Sequence, residues 1–341
     1  MEYVMLGRTG MKVQKNGFGA LPIQRISDES AVSLLQKAYA AGINYYDTAR
    51  AYSDSEKKLG LAFGSVRKNI FIATKTMAQT ADDLKKDLET SLHELQTDYI
   101  DLYQFHNPDF CPKPGDGSGL YEAMLEAKNA GKIRHIGITD HRLNIAEEAI
   151  DSGLYETLQF PFSYLASDKD IRLVEKCEQA GMGFFAMKAL AGGLITDSEA
   201  AYAFEAEYPC VVPLWGIQRE NELEEFISYI GNPPVMNDRI KVLIENDRRE
   251  LSGDFCRGCG YCMPCPAGIE INNCARMSLL LRRSPTAAHL TEETQQKMEK
   301  INGCLNCGRC KSRCPYGLDT PALLKKNLAD YRKVLASGGV F

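Results

Sequence analysis

The chain has 341 residues, of which 44% are hydrophobic and 25% charged, a composition typical of a globular protein with a large buried core. Its mean hydropathy is −0.28, and no apolar run reaches the roughly 20 residues that a membrane helix needs, so we expect no membrane association. The first residues lack a charged segment followed by an apolar one, which predicts a cytoplasmic protein without a secretory signal.

The cysteines and the charges divide the chain into two parts. Nine of the twelve cysteines lie in the last 91 residues, and clustered cysteines without a secretory signal favour metal ligation over disulfides. The net charge changes from −11 over the first 250 residues to +6 over the last 91. A basic segment can indicate nucleic-acid binding, but metal centres with several thiolate ligands are anionic and explain the same excess. We therefore expect no nucleic-acid partner.

Short β-type runs alternate with amphipathic helical stretches between residues 13 and 215, as in a parallel sheet with crossover helices. Eight runs are predicted to be strands, at 13–18, 44–47, 70–74, 99–105, 135–139, 157–160, 184–187 and 211–215. Helical stretches lie between them, for example at 31–41, 81–95, 120–130 and 171–180. Eight such units in about 230 residues predict a (β/α)8 TIM barrel, and a hairpin-like run before them is expected to close its floor.

A charged helical segment and a cysteine-rich region follow the predicted barrel. We place the barrel at residues 1–232, a helical connector at 233–252 and the cysteine-rich domain at 253–336. The connector follows the helix-breaking run Gly231-Asn232-Pro233-Pro234. The sequence therefore predicts an α/β barrel followed by a second, smaller domain.

Four polar residues follow successive predicted strands, at the end of the barrel where active sites of this fold lie. Asp47 and Tyr52 follow the second strand, Lys75 ends the third and His106 ends the fourth. A lysine ammonium beside Tyr52 would stabilise its phenolate and lower its pKa, and Asp47 would hold Lys75 charged. His106 would donate a hydrogen bond to a substrate carbonyl oxygen. Each residue alone could be structural, but together they predict a proton-transfer site.

The same region carries two longer motifs, Asp-Thr-Ala-x-x-Tyr at 47–52 and Ser-Glu-x-x-Leu-Gly at 55–60. With these motifs, residues 1–230 resemble the aldo-keto reductases. The resemblance implies a catalytic tetrad of Asp47, Tyr52, Lys75 and His106, with Tyr52 as general acid. It also implies hydride transfer between a nicotinamide cofactor, NAD(H) or NADP(H), and a small-molecule carbonyl or alcohol substrate.

The resemblance further places the cofactor across the ends of the later strands. The expected contacts are Thr139, Asp140, Gln159, Met187, Lys188, Leu190, Gly192, Gly193, Gly216, Ile217, Gln218, Glu222 and Glu225. Gln159 matches the family's amide that pairs with the nicotinamide carboxamide, although it could simply cap a strand. Gly192 and Gly193 would let backbone amides approach the pyrophosphate closely, although they could be a plain turn.

Two positions depart from the family's pattern. Met187 stands where many members place an aromatic ring against the nicotinamide. Glu222 matches the Arg or Gln that faces the adenosine 2′-phosphate. A carboxylate repels a phosphate and suits a free ribose hydroxyl, so we expect a weak preference for NADH over NADPH. Glu222 could also be an ordinary solvated helix residue.

Eight of the C-terminal cysteines form two motifs, C-x2-C-x2-C-x2-C-P from Cys256 and C-x2-C-x2-C-x3-C-P from Cys304. The second spacing is that of two-cluster ferredoxins, in which the cysteine before proline ligates the other cluster. The first motif is one residue shorter before its last cysteine. We expect two 4Fe-4S clusters, one held by Cys256, Cys259, Cys262 and Cys314, the other by Cys304, Cys307, Cys310 and Cys265.

Zinc is the main alternative, because four thiolates also make a tetrahedral zinc site. Three cysteines at successive x2 intervals and the Cys-Pro ends favour a cubic cluster instead. The 38 residues between the two groups contain helical runs at 272–281 and 291–301, which indicate a mainly α-helical ferredoxin-like domain. Cys274, outside both motifs, is expected to be a buried apolar residue.

Three functional hypotheses remain open from the sequence. In the first, the clusters exchange electrons with an acidic redox partner protein, for which Arg282-Arg283 and Lys325-Lys326 are candidate docking residues, although ordinary solvated faces explain them better. In the second, the clusters only shape or cover the pocket, since nicotinamide passes two electrons as hydride, a cluster passes one, and the sequence has no flavin motif. In the third, the chain is a nucleotide-binding redox sensor without turnover, against which the complete tetrad argues.

Overall fold

The structure is a computed structural model that describes residues 2–251 and 255–339. The chain forms two compact units. The first comprises the described residues up to Ala189 together with Glu199–Asn237, and the second comprises Leu190–Ser198 together with the described residues from Asp238 onward. The predicted domain boundary at residues 252 and 253 lies outside the described residues.

The first unit contains a closed barrel of eight parallel strands, which confirms the predicted fold. Two antiparallel strands precede it, β1 (Tyr3–Met5) and β2 (Lys12–Gln14). The barrel strands are β3 (Gly17–Gly19), β4 (Tyr45–Asp47), β5 (Phe71–Thr76), β6 (Ile100–His106), β7 (Ile133–Thr139), β8 (Thr157–Pro161), β9 (Gly183–Met187) and β10 (Val211–Gly216). Each strand pairs with the next, and β10 closes the ring against β3.

The β1–β2 hairpin lies where the sequence predicts it. It buries Val4 and Val13 against Tyr45 and Val212, near the N-terminal ends of β4 and β10. The single strand predicted at 13–18 is instead two elements, since β2 ends at Gln14 and β3 begins at Gly17. Hydrogen bonds to side chains satisfy the backbone between these two strands. The backbone N–H of Gln14 donates to Asn44 Oδ1 at 2.8 Å, and Gln14 Oε1 accepts from the backbone N–H of Asn16 at 2.6 Å.

Eight helices alternate with the barrel strands. They are α1 (Asp28–Ala40), α2 (Ser55–Phe63), α3 (Ala81–Glu94), α4 (Leu120–Asn129), α5 (Leu143–Ser152), α6 (Asp168–Gln179), α7 (Ser198–Ala206) and α8 (Glu220–Gly231). Helix α3 is representative: its apolar residues recur at helical spacing, so that it buries Leu84, Leu88 and Leu92 on one face. Thr80 caps α3 by accepting a hydrogen bond from the Asp83 amide at 3.2 Å.

The second unit is helical, with no strand among its described residues. Its helices are α9 (Asp238–Glu250), α10 (Ile271–Cys274), α11 (Met277–Arg283), α12 (Glu292–Glu299), α13 (Arg309–Ser312) and α14 (Thr320–Ala336). Helix α14, which the sequence did not predict, buries Leu324, Leu328 and Tyr331 in the core of the unit. Residues 238–250 of the predicted connector form α9 and belong to this unit, whereas residues 233–237 belong to the first unit. No helix in the described part of the chain is long and apolar enough to cross a membrane.

Candidate functional site

The strand ends bring the four predicted catalytic residues together. Asp47 and His106 are the last residues of β4 and β6, and Lys75 is the last but one of β5. A backbone hydrogen bond from Arg50 N to Lys75 O, at 2.9 Å, continues the pairing of the two chain segments past β4. This bond ties the start of the loop that carries Tyr52 to β5.

Lys75 and Asp47 form a buried ion pair. Lys75 Nζ donates to Asp47 Oδ2 at 2.6 Å and to the Thr48 carbonyl oxygen at 2.7 Å. Burial lowers the pKa of Lys75, and the Asp47 carboxylate opposes this effect by favouring the ammonium. Burial likewise raises the pKa of Asp47, and Lys75 opposes that effect. Each charge is therefore maintained by the other.

Tyr52 and His106 lie beside this ion pair. Lys75 Nζ is 5.3 Å from the centroid of the Tyr52 ring. The rings of Tyr52 and His106 meet edge to face, with centroids 5.7 Å apart and 85° between their planes. Burial lowers the pKa of His106 to about 3, and the charge of Lys75 adds to the effect. The imidazole is therefore neutral at neutral pH and can serve as a hydrogen-bond donor.

The pKa of Tyr52 differs from the sequence-based expectation. Burial raises it above its usual value and the Asp47 charge raises it further, whereas we expected Lys75 to lower it. Burial is the larger cause, and the Lys75 ammonium, which is paired with Asp47 at 2.6 Å, does not reverse it. Tyr52 therefore keeps its proton at neutral pH, which is the state that a general acid requires.

The Ser-Glu-x-x-Leu-Gly motif positions the helix that follows Tyr52. Glu56 is buried, forms an ion pair with Arg50 and accepts a hydrogen bond from Ser91 Oγ at 2.7 Å. A Cβ atom on Gly60 would lie 2.3 Å from the Glu94 carbonyl oxygen, so α2 packs this closely on α3 only because the residue is glycine. Both residues are structural, and they fix the loop between β4 and α2.

A chain of side-chain hydrogen bonds joins the ion pair to two predicted cofactor residues. Gln159 Nε2 donates to Asp47 Oδ2 at 3.4 Å, and Gln104 Nε2 donates to Gln159 Oε1 at 3.1 Å. Thr139 Oγ1 donates to Gln104 Oε1 at 3.1 Å. The sequence-based prediction missed Gln104. Its position could have indicated the role, because Gln104 is a polar residue in an apolar strand and lies two residues before His106, on the same face of the strand.

Asp140 is the first residue after β7. Its Oδ1 accepts hydrogen bonds from the backbone amides of His141 and Arg142, each at 2.7 Å. Burial raises the pKa of Asp140 to about 6 despite these bonds. Its Oδ2 is buried and has no hydrogen-bond partner among the described residues. A buried acceptor therefore lies at a residue that the sequence predicts to contact the cofactor.

The other predicted cofactor residues are divided between the two units. The first unit holds Met187, Lys188, Gly216, Ile217, Gln218, Glu222 and Glu225, and the second holds Leu190, Gly192 and Gly193. Glu222 Oε2 accepts hydrogen bonds from the Gln218 and Arg219 amides, each at 3.0 Å, and so caps α8. The side chain of Glu222 is only 30% exposed, so we interpret it as a helix-capping residue and not as an ordinary solvated one.

Five cysteines of the second unit surround one cavity. The cavity is lined by Cys262, Cys265, Cys304, Cys307 and Cys310. Four of these are the predicted ligands of the second cluster, including Cys265 from the other motif. The thiol-lined space is therefore consistent in its chemistry with an iron-sulfur cluster.

The predicted ligands of the first cluster are also neighbours. Burial raises the pKa of Cys256, and the charges of Cys259 and Cys314 raise it further. Burial raises the pKa of Cys262 to about 12, with Cys256 and Cys259 adding to the shift. Across the described residues, no three His, Cys, Asp or Glu side chains converge on a position for a single metal ion. Cys274 is buried, as expected, with its Sγ 3.8 Å from a backbone carbonyl oxygen.

A model of the aldo/keto reductase family matches residues 15–231. The chain belongs to the aldo/keto reductase family. A second model, described as a 4Fe-4S dicluster domain, matches residues 255–319. This aldo/keto reductase therefore joins the family's barrel to a dicluster iron-sulfur domain, as the sequence predicts.

Known proteins resemble the barrel. L-galactose dehydrogenase of Arabidopsis thaliana is 31% identical over 216 residues, covering 58% of this chain and 68% of its own. Aldo-keto reductase YhdN of Bacillus subtilis is 27% identical over 227 residues, covering 61% and 68%. An aldo-keto reductase structure from Bacillus halodurans superposes with a TM-score of 0.64 at 21% identity, covering 72% of this chain and 96% of that one. These similarities establish an oxidoreductase family and its fold.

Proposed function

We propose that this aldo/keto reductase transfers hydride between a nicotinamide cofactor and a small carbonyl or alcohol substrate. The observation that carries the proposal is the buried Asp47–Lys75 ion pair beside Tyr52 and His106. Buried charges are costly, and perturbed ionisable groups at the C-terminal ends of barrel strands are typical of active sites. When bound, the nicotinamide supplies or accepts the hydride.

The four residues divide the proton chemistry. Tyr52 donates its proton to the substrate oxygen during reduction and takes it back during oxidation. Its raised pKa retains the proton until negative charge develops on that oxygen. Lys75, kept charged by Asp47, then stabilises the phenolate, and the neutral His106 donates a hydrogen bond to the substrate oxygen.

The residues present fit a nicotinamide. Asp140 Oδ2 is a buried acceptor without a partner among the described residues, and a carboxamide NH2 can donate to it. Thr139 and Gln159, already linked through Gln104, lie on neighbouring strands at matching register positions. We propose that these groups bind the nicotinamide end of the cofactor.

We further propose a weak preference for NADH over NADPH, because the Glu222 carboxylate would repel a 2′-phosphate. The measurement is kcat/KM with each cofactor for the native enzyme and for the Glu222→Gln variant. We expect NADPH to gain more than NADH from the substitution. Equal efficiency with both cofactors in the native enzyme would refute this specificity.

The hydride-transfer proposal is tested by anaerobic turnover of NADH against a panel of aldehydes and ketones. The native enzyme should turn over at least one carbonyl, and Tyr52→Phe should lose activity on the order of 10²–10⁴-fold while retaining the fold. Tight nucleotide binding without turnover of any carbonyl would favour the redox-sensor hypothesis instead.

We propose that the second unit holds two 4Fe-4S clusters. The Cys304 cluster site consists of Cys304, Cys307, Cys310 and Cys265, and the Cys256 cluster site consists of Cys256, Cys259, Cys262 and Cys314. The support is the shared cavity of the first group and the mutual proximity of the second. When bound, each cluster supplies one-electron redox chemistry, distinct from the two-electron hydride step. Free thiols in these numbers suit a reducing compartment such as the cytoplasm.

Iron analysis of anaerobically purified protein tests this assignment. We expect about eight irons per chain for two cubes, an unchanged count in the Cys274→Ala variant, and a reduced count in Cys304→Ala. Cys274 is the matched control because it is a buried cysteine of the same unit outside both groups. Stoichiometric zinc in place of iron would refute the proposal.

We propose that an acidic electron carrier docks at the exposed part of the Cys304 cluster site. Cys307 is exposed, and the adjacent Leu305 is 66% exposed. Between residues 300 and 326 the chain has six basic residues and one acidic residue, Asp319, which is paired with Lys311 at 2.9 Å. These basic residues are exposed and suit an acidic partner, whose approach they accelerate electrostatically.

The predicted docking pair Arg282-Arg283 is not part of this surface. Arg282 pairs with Asp330 at 2.6 Å, and Arg283 pairs with Glu250 at 2.8 Å, so both are engaged within the unit. The test is the rate at which a reduced acidic ferredoxin reduces the clusters. The double variant Arg309→Glu, Arg313→Glu should slow this rate about tenfold or more at low salt, and an unchanged rate would refute the docking surface.

A further inference from the structure

The segment Leu190–Ser198 follows β9 in the chain but belongs to the same compact unit as the cysteines. Three consecutive residues have left-handed backbone conformations: Ala191 (φ 48°), Gly192 (φ 67°) and Gly193 (φ 91°). Internal bonds from Gly193 N and Ile195 N to the Leu190 carbonyl oxygen, at 2.8 and 3.2 Å, close it into a compact turn. This segment contains the glycines predicted to approach the cofactor pyrophosphate.

Arg276 joins this turn to the first cysteine motif. Its Nη1 donates to the Gly192 carbonyl oxygen at 2.8 Å. The same guanidinium lies over Gly258, between Cys256 and Cys259, where a Cβ atom would be 2.7 Å from Arg276 Cζ. Gly258 has φ 65°, so glycine meets both a conformational and a packing requirement there.

The cysteine motif also contacts the turn directly. A Cβ atom on Gly192 would lie 3.0 Å from Arg276 Nη1 and 3.3 Å from the Arg257 carbonyl oxygen. The Gly258 amide donates to Cys256 Sγ at 3.4 Å. The turn, the arginine and the cluster-binding segment are therefore in continuous contact, within a single unit.

The Arg276 guanidinium also lies near Cys256. The guanidinium packs on Gly258, whose amide donates to Cys256 Sγ, so the positive charge lies near this sulfur. A cluster held by Cys256 would therefore place anionic sulfur near the same guanidinium that donates to the Gly192 carbonyl oxygen. Reduction adds one negative charge to the cluster and strengthens the competition for the same cation.

We propose that Arg276 is a positioning residue that couples the redox state of the Cys256 cluster site to the Leu190–Ser198 turn, and through it to nucleotide affinity. This inference rests on the proposed function, in which the site holds a cluster and the barrel binds a nicotinamide cofactor, and on the expectation from the family resemblance that Gly192 and Gly193 approach the cofactor pyrophosphate. The oxidised state leaves Arg276 bonded to Gly192 and the turn ordered. The reduced state draws Arg276 toward the cysteines, loosens the turn and weakens nucleotide binding.

Thermodynamic linkage makes the coupling measurable from both sides. The probe is ADP-ribose, which carries the pyrophosphate but has no nicotinamide ring to exchange electrons. We expect about tenfold tighter binding to the oxidised than to the reduced holoenzyme, by calorimetry. The same coupling lowers the cluster midpoint potential on adding saturating ADP-ribose, by 59 mV for a tenfold ratio and one electron, in an EPR-monitored titration.

Two variants of Arg276 and one control separate coupling from stability. Arg276→Gln removes the charge but keeps an amide donor, so the shift in potential should disappear while the iron content stays unchanged. Arg276→Lys keeps the charge and should restore part of the shift. Arg282→Gln, on α11 and paired with Asp330, should behave as the native protein.

The outcomes distinguish this inference from the proposed function. If the holoenzyme fails to bind ADP-ribose or lacks a cluster, the proposed function fails first. If it binds ADP-ribose but its potential does not move, or if Arg276→Gln retains the native shift, the coupling through Arg276 is refuted and the proposed function stands.

Discussion

Replacing Asp47 by asparagine tests whether the buried ion pair serves the chemistry. Lys75 is fully buried, and only the Asp47 carboxylate, 2.6 Å away, opposes the lowering of its pKa by burial. In Asp47→Asn the lysine keeps the Thr48 carbonyl oxygen at 2.7 Å but loses its counter-charge. We expect it to become neutral at assay pH, which removes the positive charge beside Tyr52.

A second buried ion pair supplies the matched control. Asp101, near the start of β6, accepts from Arg67 Nη2 at 2.7 Å, and both side chains are more than 90% buried. Removing one partner of a buried pair costs about 3–5 kcal/mol, so Asp47→Asn and Asp101→Asn should lose comparable stability. Only Asp47→Asn should also lose kcat, on the order of 10²–10⁴-fold, because His106 and Tyr52 lie at the opposite end of β6 from Asp101.

The assay combines urea unfolding with NADH oxidation in the presence of a carbonyl substrate. Comparable midpoints of unfolding with a large difference in kcat would support the proposed role of Asp47. If the two variants lose kcat to the same extent, the Asp47–Lys75 pair is structural and the proton-transfer account is refuted.

Three further predictions concern buried groups of the first unit. Both Glu205 carboxylate oxygens lack hydrogen-bond partners among the described residues, and burial raises its pKa well above 4.5. The stability of the native protein should therefore fall as the pH rises from 4.5 toward the pKa of Glu205 in the folded state. In urea unfolding, Glu205→Gln should be more stable than the native protein by roughly 1–3 kcal/mol at pH 7, but not at pH 4. In Gly60→Ala the new Cβ would lie 2.3 Å from the Glu94 carbonyl oxygen, so the free energy of unfolding should fall by about 1–3 kcal/mol. In the control Gly64→Ala the nearest contact is at 3.7 Å, so stability should not fall. Equal melting temperatures of the two variants would contradict the packing argument. Because the pKa of His106 is lowered to about 3, kcat/KM should show no ionisation of this residue between pH 5 and 9, and an inflection near 6.5 that His106→Asn removes would contradict its neutral state.

Much of the barrel is predictable because its signals are local. Alternating strand and helix patterns predicted eight strands, seven of them to within two residues at each end. Asp47, Lys75 and His106 are visible because each is a polar residue ending an apolar run. The exception is the strand predicted at 13–18, which is divided into two strands. This division depends on a hydrogen bond from the backbone to a side chain distant in sequence, and strand periodicity does not reveal such a bond.

Features that depend on tertiary contacts were not predictable. The pKa of Tyr52 is raised by burial and by the Asp47 charge, and neither effect follows from the order of residues in the sequence. Glu222 was predictable as a candidate specificity residue, but its capping bonds to α8 are apparent only in three dimensions. The Leu190–Ser198 segment reads as part of the barrel in sequence, yet Arg276 ties it to the cysteine-rich unit.

Deuterium transfer from NADH deuterated at C4 is the most direct test of the central claim. The cluster-loaded enzyme is incubated anaerobically with this NADH and a carbonyl panel, and the alcohol products are analysed by mass spectrometry. We predict one deuterium at the carbinol carbon with the native enzyme, and on the order of 10²–10⁴-fold less labelled alcohol with Tyr52→Phe over the same time. Nucleotide binding with no labelled alcohol from any carbonyl would contradict it.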